Sequence, residues 1–201
     1  MKRRNVAVFM AAGALVLAAG LTTGLGLAAP ADGKWIHIRV VDGVEKASTV
    51  KVNMPVTALV SMADVIQDEH IKDGHVMIGH EGIDAAKLRD VWQSLRTAQD
   101  MDFITVESDG EQVRVAKSGR FMIARVNGRS HGRGSDDADG EQVQLRVPLE
   151  VVDALLDAPE GQLNIKSALE TLASQHSGEL VTVTDGSSKV RIWIDDKAEA
   201  D

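Results

Sequence analysis

Two stretches of this chain say nearly the same thing. VKVNMPVTALVSM (residues 50–62) lies over VQLRVPLEVVDAL (143–155) at a constant separation of 93 positions, so that Val50 meets Val143, Val52 meets Leu145 and Pro55 meets Pro148. Residues 88–115 lie over 165–192 at a separation of 77, which sets Leu95 on Leu172, Thr105 on Thr182, Val106 on Val183, Val113 on Val190 and Arg114 on Arg191. WIHIRV (35–40) lies over FMIARV (121–126) at 86. Three blocks in one order predict an internal duplication, each copy a supersecondary unit that completes its core against its neighbour. The changing separation gives the first copy 16 extra residues between its helices and the second seven extra in its first hairpin.

Periodicity supplies the elements of each copy. Ile36, Ile38 and Val40 alternate with His37 and Arg39, and Val50, Val52 and Met54 alternate with Lys51 and Asn53, the period-2 pattern of half-buried strands. Pro55 suits the first turn of a helix, where its missing N–H costs nothing, and Val56, Leu59, Val60, Ala63 and Ile66 then follow at helical spacing. Asp84 is placed to cap a second helix with Leu88, Val91, Trp92 and Leu95 on its inner face. Ile104 with Val106, then Val113 with Val115, predict a closing hairpin. The expected fold is α+β: tandem duplicated ββααββ units over 32–118 and 119–196 with a tail at 197–201, an antiparallel sheet carrying helices on one face, and a pseudo-twofold between the copies. Ser118-Gly119 leaves so little linker that the copies are expected to meet through a hairpin, with two tethered domains as the alternative.

Strand parity then sorts the side chains. If Ile36, Val52, Val113, Leu145 and Ile192 face the helices, the opposite face carries Arg39, Lys51, Arg114, Arg125, Arg146, Lys189 and Arg191, flanked by Trp35, Ile123 and Trp193. Glu107 is the one acid that alternation puts there. Such segregation fits either a solvated sheet face defended against edge pairing or a docking surface for an anionic ligand. The expected ligand-binding residues are Trp35, Arg39, Lys51, Arg114, Arg125, Arg146, Arg191 and Trp193. The partners they suit are an anionic lipid, an envelope polysaccharide or an acidic protein, with a homodimer also open.

The first residues concern location. Lys2, Arg3 and Arg4 precede an uncharged run from Val6 to Leu27, and Ala29 and Ala31 fit a small-residue cleavage site. Residues 1–31 therefore predict a secretory signal peptide cleaved near Ala31, with an uncleaved anchor as the alternative, and either places the remainder in the periplasm or outside the cell. Without those three cations the net charge moves from −8 to −11, which argues against a general nucleic-acid binder. Cysteine is absent, so disulfides and thiolate chemistry do not arise.

Catalytic grammar is missing. No G-x-S-x-G occurs and no glycine-rich phosphate loop joins a strand to a helix, so no enzyme, cofactor or catalytic residue is expected. Residues 127–142 offer acidic side chains that suggest a calcium loop, but the twelfth position falls on Arg146 where a bidentate glutamate is needed. HIKDGHVMIGHEG (70–82) raises a metal-sequestering alternative through His70, His75 and His80. A spacing of five scatters them round a helix and alternates them across a strand. The expectation is a solvated connection with no metal, Val76 and Ile78 tucked against the core.

WIHIRVVDG with VKVNMP, and the acidic hairpin ITVESDGEQVRV, resemble modules of bacterial proteins described as SHOCT-like, over residues 35–117 and again over 120–195. The short helical segment that often opens those proteins is absent here. The resemblance implies an association with cell-envelope stress and assigns no residue a role. The function these readings lead to is a non-enzymatic exported envelope protein that binds or scaffolds through the basic sheet face.

Overall fold

The computed structural model describes residues 33–42, 48–67, 71–78, 85–128, 140–159, 161–175, 177–186 and 188–199. Asp84, His70, His80, most of the acidic loop before Gln142 and residues 1–32, which include the expected signal peptide, lie outside the described residues. Two hairpin strands come first, β1 (Trp35–Asp42) and β2 (Ser48–Pro55), followed by α1 (Val56–Val65), the short strands β3 (Ile71–Lys72) and β4 (His75–Met77), and α2 (Ala85–Thr97). Next come β5 (Met101–Ser108), β6 (Glu111–Ser118), β7 (Phe121–Asn127) and β8 (Gln142–Pro148). The chain continues through α3 (Leu149–Leu156), β9 (Gln162–Asn164), α4 (Ile165–Gln175), β10 (Gly178–Asp185) and β11 (Ser188–Asp195). The fold is α+β, with an antiparallel eight-stranded sheet in the order β2-β1-β11-β10-β8-β7-β6-β5.

That order interleaves the chain. The first strand pairs with the last, Trp35 opposite Asp195, while β6 and β7 form the hairpin expected at Ser118-Gly119. Ala31–Asp201 is consequently one unit and not two tethered domains. Pro55 marks the start of its helix but stands one place before its first turn: Pro55 and Pro148 both sit at N-caps with extended backbone. The helical N–H that follows each is satisfied by a strand-entry carbonyl, Val56 N–H donating to Lys34 O at 2.8 Å and Leu149 N–H to Arg120 O at 2.9 Å.

Alternation gives the sheet one apolar face, and register turns that face into rows. One row reads Val52-Ile38-Ile192-Val181-Leu145-Ala124-Val115-Ile104 across all eight strands. The row beside it is valine throughout: Val50, Val40, Val190, Val183, Val143, Val126, Val113 and Val106. β-Branched side chains pack well on a pleated surface, and cross-strand pairs of them stabilise it. The helices seat at the Ile36–Ile194 end of this face: Val56 of α1 and Leu172 of α4 form the core with Ile194, and Ile36, Val151 and Leu180 pack against it.

Two expectations change. The inner face of α2 contracts to Trp92, which is buried, and Leu95, which is half-buried, while Leu88 and Val91 are exposed. The insert between the helices is also not a solvated connection. Its β3–β4 hairpin turns at Asp73-Gly74, both with positive φ, and β4 pairs with β9 in a three-stranded sheet of its own. Lys166 at the start of α4 fastens the hairpin, its N–H donating to Gly74 O at 3.1 Å and its Nζ reaching both Asp64 carboxylate oxygens at 2.8 Å. Short alternating runs of two or three residues carry too little periodicity to be read.

Candidate functional site

The face opposite the valines is polar, and register aligns its charges. Arg39 lies directly between Lys51 and Arg191 on its two neighbouring strands, and Arg114 lies directly opposite Arg125. Completed across the sheet, the row reads Lys51-Arg39-Arg191-Thr182-Gln144-Arg125-Arg114-Thr105. Eight strands span about 34 Å at the usual inter-strand spacing. Like charges directly opposed across strands destabilise a sheet, so a row with three such pairs runs against folding stability.

Two β-bulges moderate the repulsion. The register shifts between Asp102 and Ile104 on β5, and between Glu179 and Val181 on β10. Each bulge brings an acid onto the basic face. Arg114 Nε donates to Asp102 at 2.7 Å, and Arg191 Nε donates to Glu179 at 2.7 Å. The hydrogen bond to Asp102 and that carboxylate's charge raise Arg114 above its ordinary pKa. Glu107 is thus joined by two acids that strict alternation hides. Arg125 Nε donates to the Gln144 amide oxygen at 3.2 Å, and Lys51 and Arg125 stay exposed.

The other expected site residues divide. Arg146 sits over the Phe121 ring at 3.7 Å, outside the row, with its Nε buried and unpartnered. Trp193 is buried with the Arg191 guanidinium over its ring at 4.6 Å, so it serves as a floor under the arginine and offers no open stacking platform. Trp35 is half-buried opposite Pro55 and Asp195 at the end of the strands, four residues along β1 from Arg39 of the row.

Parity assigned His37 to this face but gave no sign of its burial. It is wholly inaccessible, bonded through Nδ1 to the Asn53 amide oxygen at 2.8 Å and through Nε2 to Asp195 at 3.0 Å, and stacked on Trp193 with centroids 5.0 Å apart. Burial works to raise the Asp195 carboxyl, but the Lys197 N–H, His37 and the Trp193 indole all bond to it and leave its pKa below the ordinary value. The register Asp195–Trp35–Pro55 beside His37–Asn53 predicts that contact once strand order is known; sequence alone does not give the order. These bonds tie β1, β2 and β11 together at one end of the sheet.

An open cleft of about 760 Å³ lies between α2, α3 and α4. Its charged groups hold the helices together: Trp92 Nε1 donates to Asp153 at 2.7 Å, Arg96 pairs with the same carboxylate at 3.0 Å, and Arg89 donates to the carbonyls of Leu156, Ala158 and Pro159 after α3. In the histidine insert, His75 Nδ1 bonds to Asp73 O at 3.0 Å, and no group suited to a metal ion occurs among the described residues. No helix among them is long and apolar enough to cross a membrane. No family model, curated protein or solved structure matches the chain.

Proposed function

We propose that the chain is an exported, non-enzymatic envelope protein, built by tandem duplication of a ββααββ unit, that binds an extended anionic polymer along its basic row. The observation that carries the binding function is the row itself: two groups of cations, Lys51-Arg39-Arg191 and Arg125-Arg114, held in direct cross-strand opposition at a cost to the sheet and spread over about 29 Å from β2 to β6. A line of charge one residue wide suits a chain-like polyanion such as an acidic envelope polysaccharide better than the broad plane of a lipid headgroup layer.

Several features support the duplication at the separations found in sequence. The two bulges, at Asp102/Ile104 and Glu179/Val181, lie 77 positions apart and each delivers an acid to the arginine of its own copy. The proline caps lie 93 apart and the carbonyls of Lys34 and Arg120 that complete them 86 apart. Export is supported by the leader's basic, apolar and small-residue segments.

The test is calorimetric titration with a polyglucuronate at low salt, against neutral dextran and against phosphatidylglycerol vesicles. Binding of the polyglucuronate alone, weakened by salt, is expected. Two exposed charge contacts at up to about 1 kcal/mol each make Lys51→Gln/Arg125→Gln weaker by up to about thirtyfold. Equal binding by this variant, or binding to vesicles without binding to the polymer, overturns the proposal.

A further inference from the structure

The sheet ends on β2 at one side and β5 at the other, and these strands correspond to β8 and β10 when the copies are aligned. β8 and β10 pair with each other, in the register Val181–Leu145, Thr182–Gln144, Val183–Val143 and Thr184–Gln142. We infer that β5 of one copy of this chain pairs with β2 of a second copy, repeating between molecules the joint that β10 and β8 make within one. The inference rests on the duplication proposed above.

Transferred at separations of 77 and 93, the internal register sets Ile104 opposite Val52, Thr105 opposite Lys51, Val106 opposite Val50 and Glu107 opposite Thr49. The row of eight valines shows what this joint completes. Val183 and Val190 at its centre are 8% exposed, whereas its two ends, Val50 and Val106, are 48% and 51% exposed, and Ile104 beside Val106 is 49% exposed. The transferred register places those ends against each other. Edge strands of native proteins are usually blunted against such pairing, but here the residues that would meet are β-branched and apolar on one face. On the other face no like charges meet, because Lys51 falls opposite Thr105 and diagonal to Glu107. One copy's β5 edge on another's β2 edge is a heterologous contact, which a twofold closes when it is made twice. The expected assembly is a dimer in which the basic rows of both copies run end to end.

The absence of cysteine allows a direct test. Lys51→Cys and Thr105→Cys variants, each at an exposed position, are mixed in equal amounts and treated with a short bis-maleimide. A covalent dimer from the mixture and none from either variant alone is the expected result, with sedimentation of the unmodified chain as a dimer. A Gln144→Cys/Thr182→Cys variant is the internal control and should cross-link within one chain. If the control closes and the mixture does not, pairing between copies is overturned while the duplication stands. If the control fails, the register behind both is overturned. A Lys51→Cys/Thr105→Cys double variant that cross-links at monomer mass also overturns the proposal, since the sheet would then close on itself.

Discussion

Replacing His37 tests whether the end of the sheet is held by packing or by polar bonds. His37→Ala removes a wholly buried ring, its stack on Trp193 and its bonds to Asn53 and Asp195. The ring contact accounts for about 0.5–1.5 kcal/mol, a neutral hydrogen bond for about 1 kcal/mol and a bond to a carboxylate for about 1.5–3 kcal/mol. Asn53 is exposed and Asp195 retains bonds from Lys197 and Trp193, so both abandoned partners regain other contacts and the polar loss falls at the low end. The residual cavity adds to these roughly 3–4 kcal/mol, and a total of about 4–5 kcal/mol is expected, as for a buried large-to-small change. His37→Phe keeps volume and stacking and should cost about 2.5 kcal/mol, the polar part alone. Urea denaturation followed by tryptophan fluorescence measures both, with Trp193 reporting from the contact itself. A His37→Ala cost below 1 kcal/mol, or equal costs for the two variants, would refute the division made here.

Acid should destabilise the fold. Asp100, Glu150 and Asp195 all have pKa values lowered in the folded protein: Asp100 mainly by the Gly119 N–H, Glu150 by its own backbone N–H and Arg120 against an opposing burial effect, and Asp195 by the bonds described above against its burial. Groups lowered on folding contribute their full stability above the unfolded value of about 4 and lose it as pH falls through the folded value, so the urea midpoint should hold from pH 7 to 5 and drop below pH 4. Asp195→Asn should flatten that drop. Gly74→Ala should cost about 1–3 kcal/mol from strain at positive φ, because the added Cβ would also meet Lys166 Cβ at 2.6 Å; hydrogen exchange should show the loss concentrated in β3, β4 and β9. Trp92→Phe should cost about 1.5–3 kcal/mol through the bond to the Asp153 carboxylate, measured by the same denaturation.

Period-2 alternation was legible wherever a strand is long and faces two different environments. It placed Ile36, Ile38 and Val40 against Val50, Val52 and Met54, and it assembled the basic residues on one side before their pairing was known. Strand order was not legible, because nothing local in Trp35–Asp42 says that its second partner lies at the far end of the chain. The bulges escaped for a related reason: one extra residue resets parity, and only the paired strand shows where. Asp102 and Glu179 therefore seemed to belong elsewhere, and the basic face looked less neutralised than it is. His37 was visible as a polar residue in an alternating strand, which ordinarily means exposure. Its burial follows from Trp193 and Asp195 on β11, a contact made by topology.

The pairing of β1 with β11 also governs when this protein can fold. Trp35 and Asp195 are opposite each other in the sheet, and a chain emerging at about 5–20 residues per second delivers the later strand roughly 10–30 s after the earlier one. Until then β1 has only β2 beside it, and an isolated hairpin is marginal in water. Contacts this distant in sequence also slow folding itself, since the closure entropy comes before any reward. The β1–β2 hairpin therefore waits, without the strand that completes its pairing, until synthesis of the chain is nearly finished.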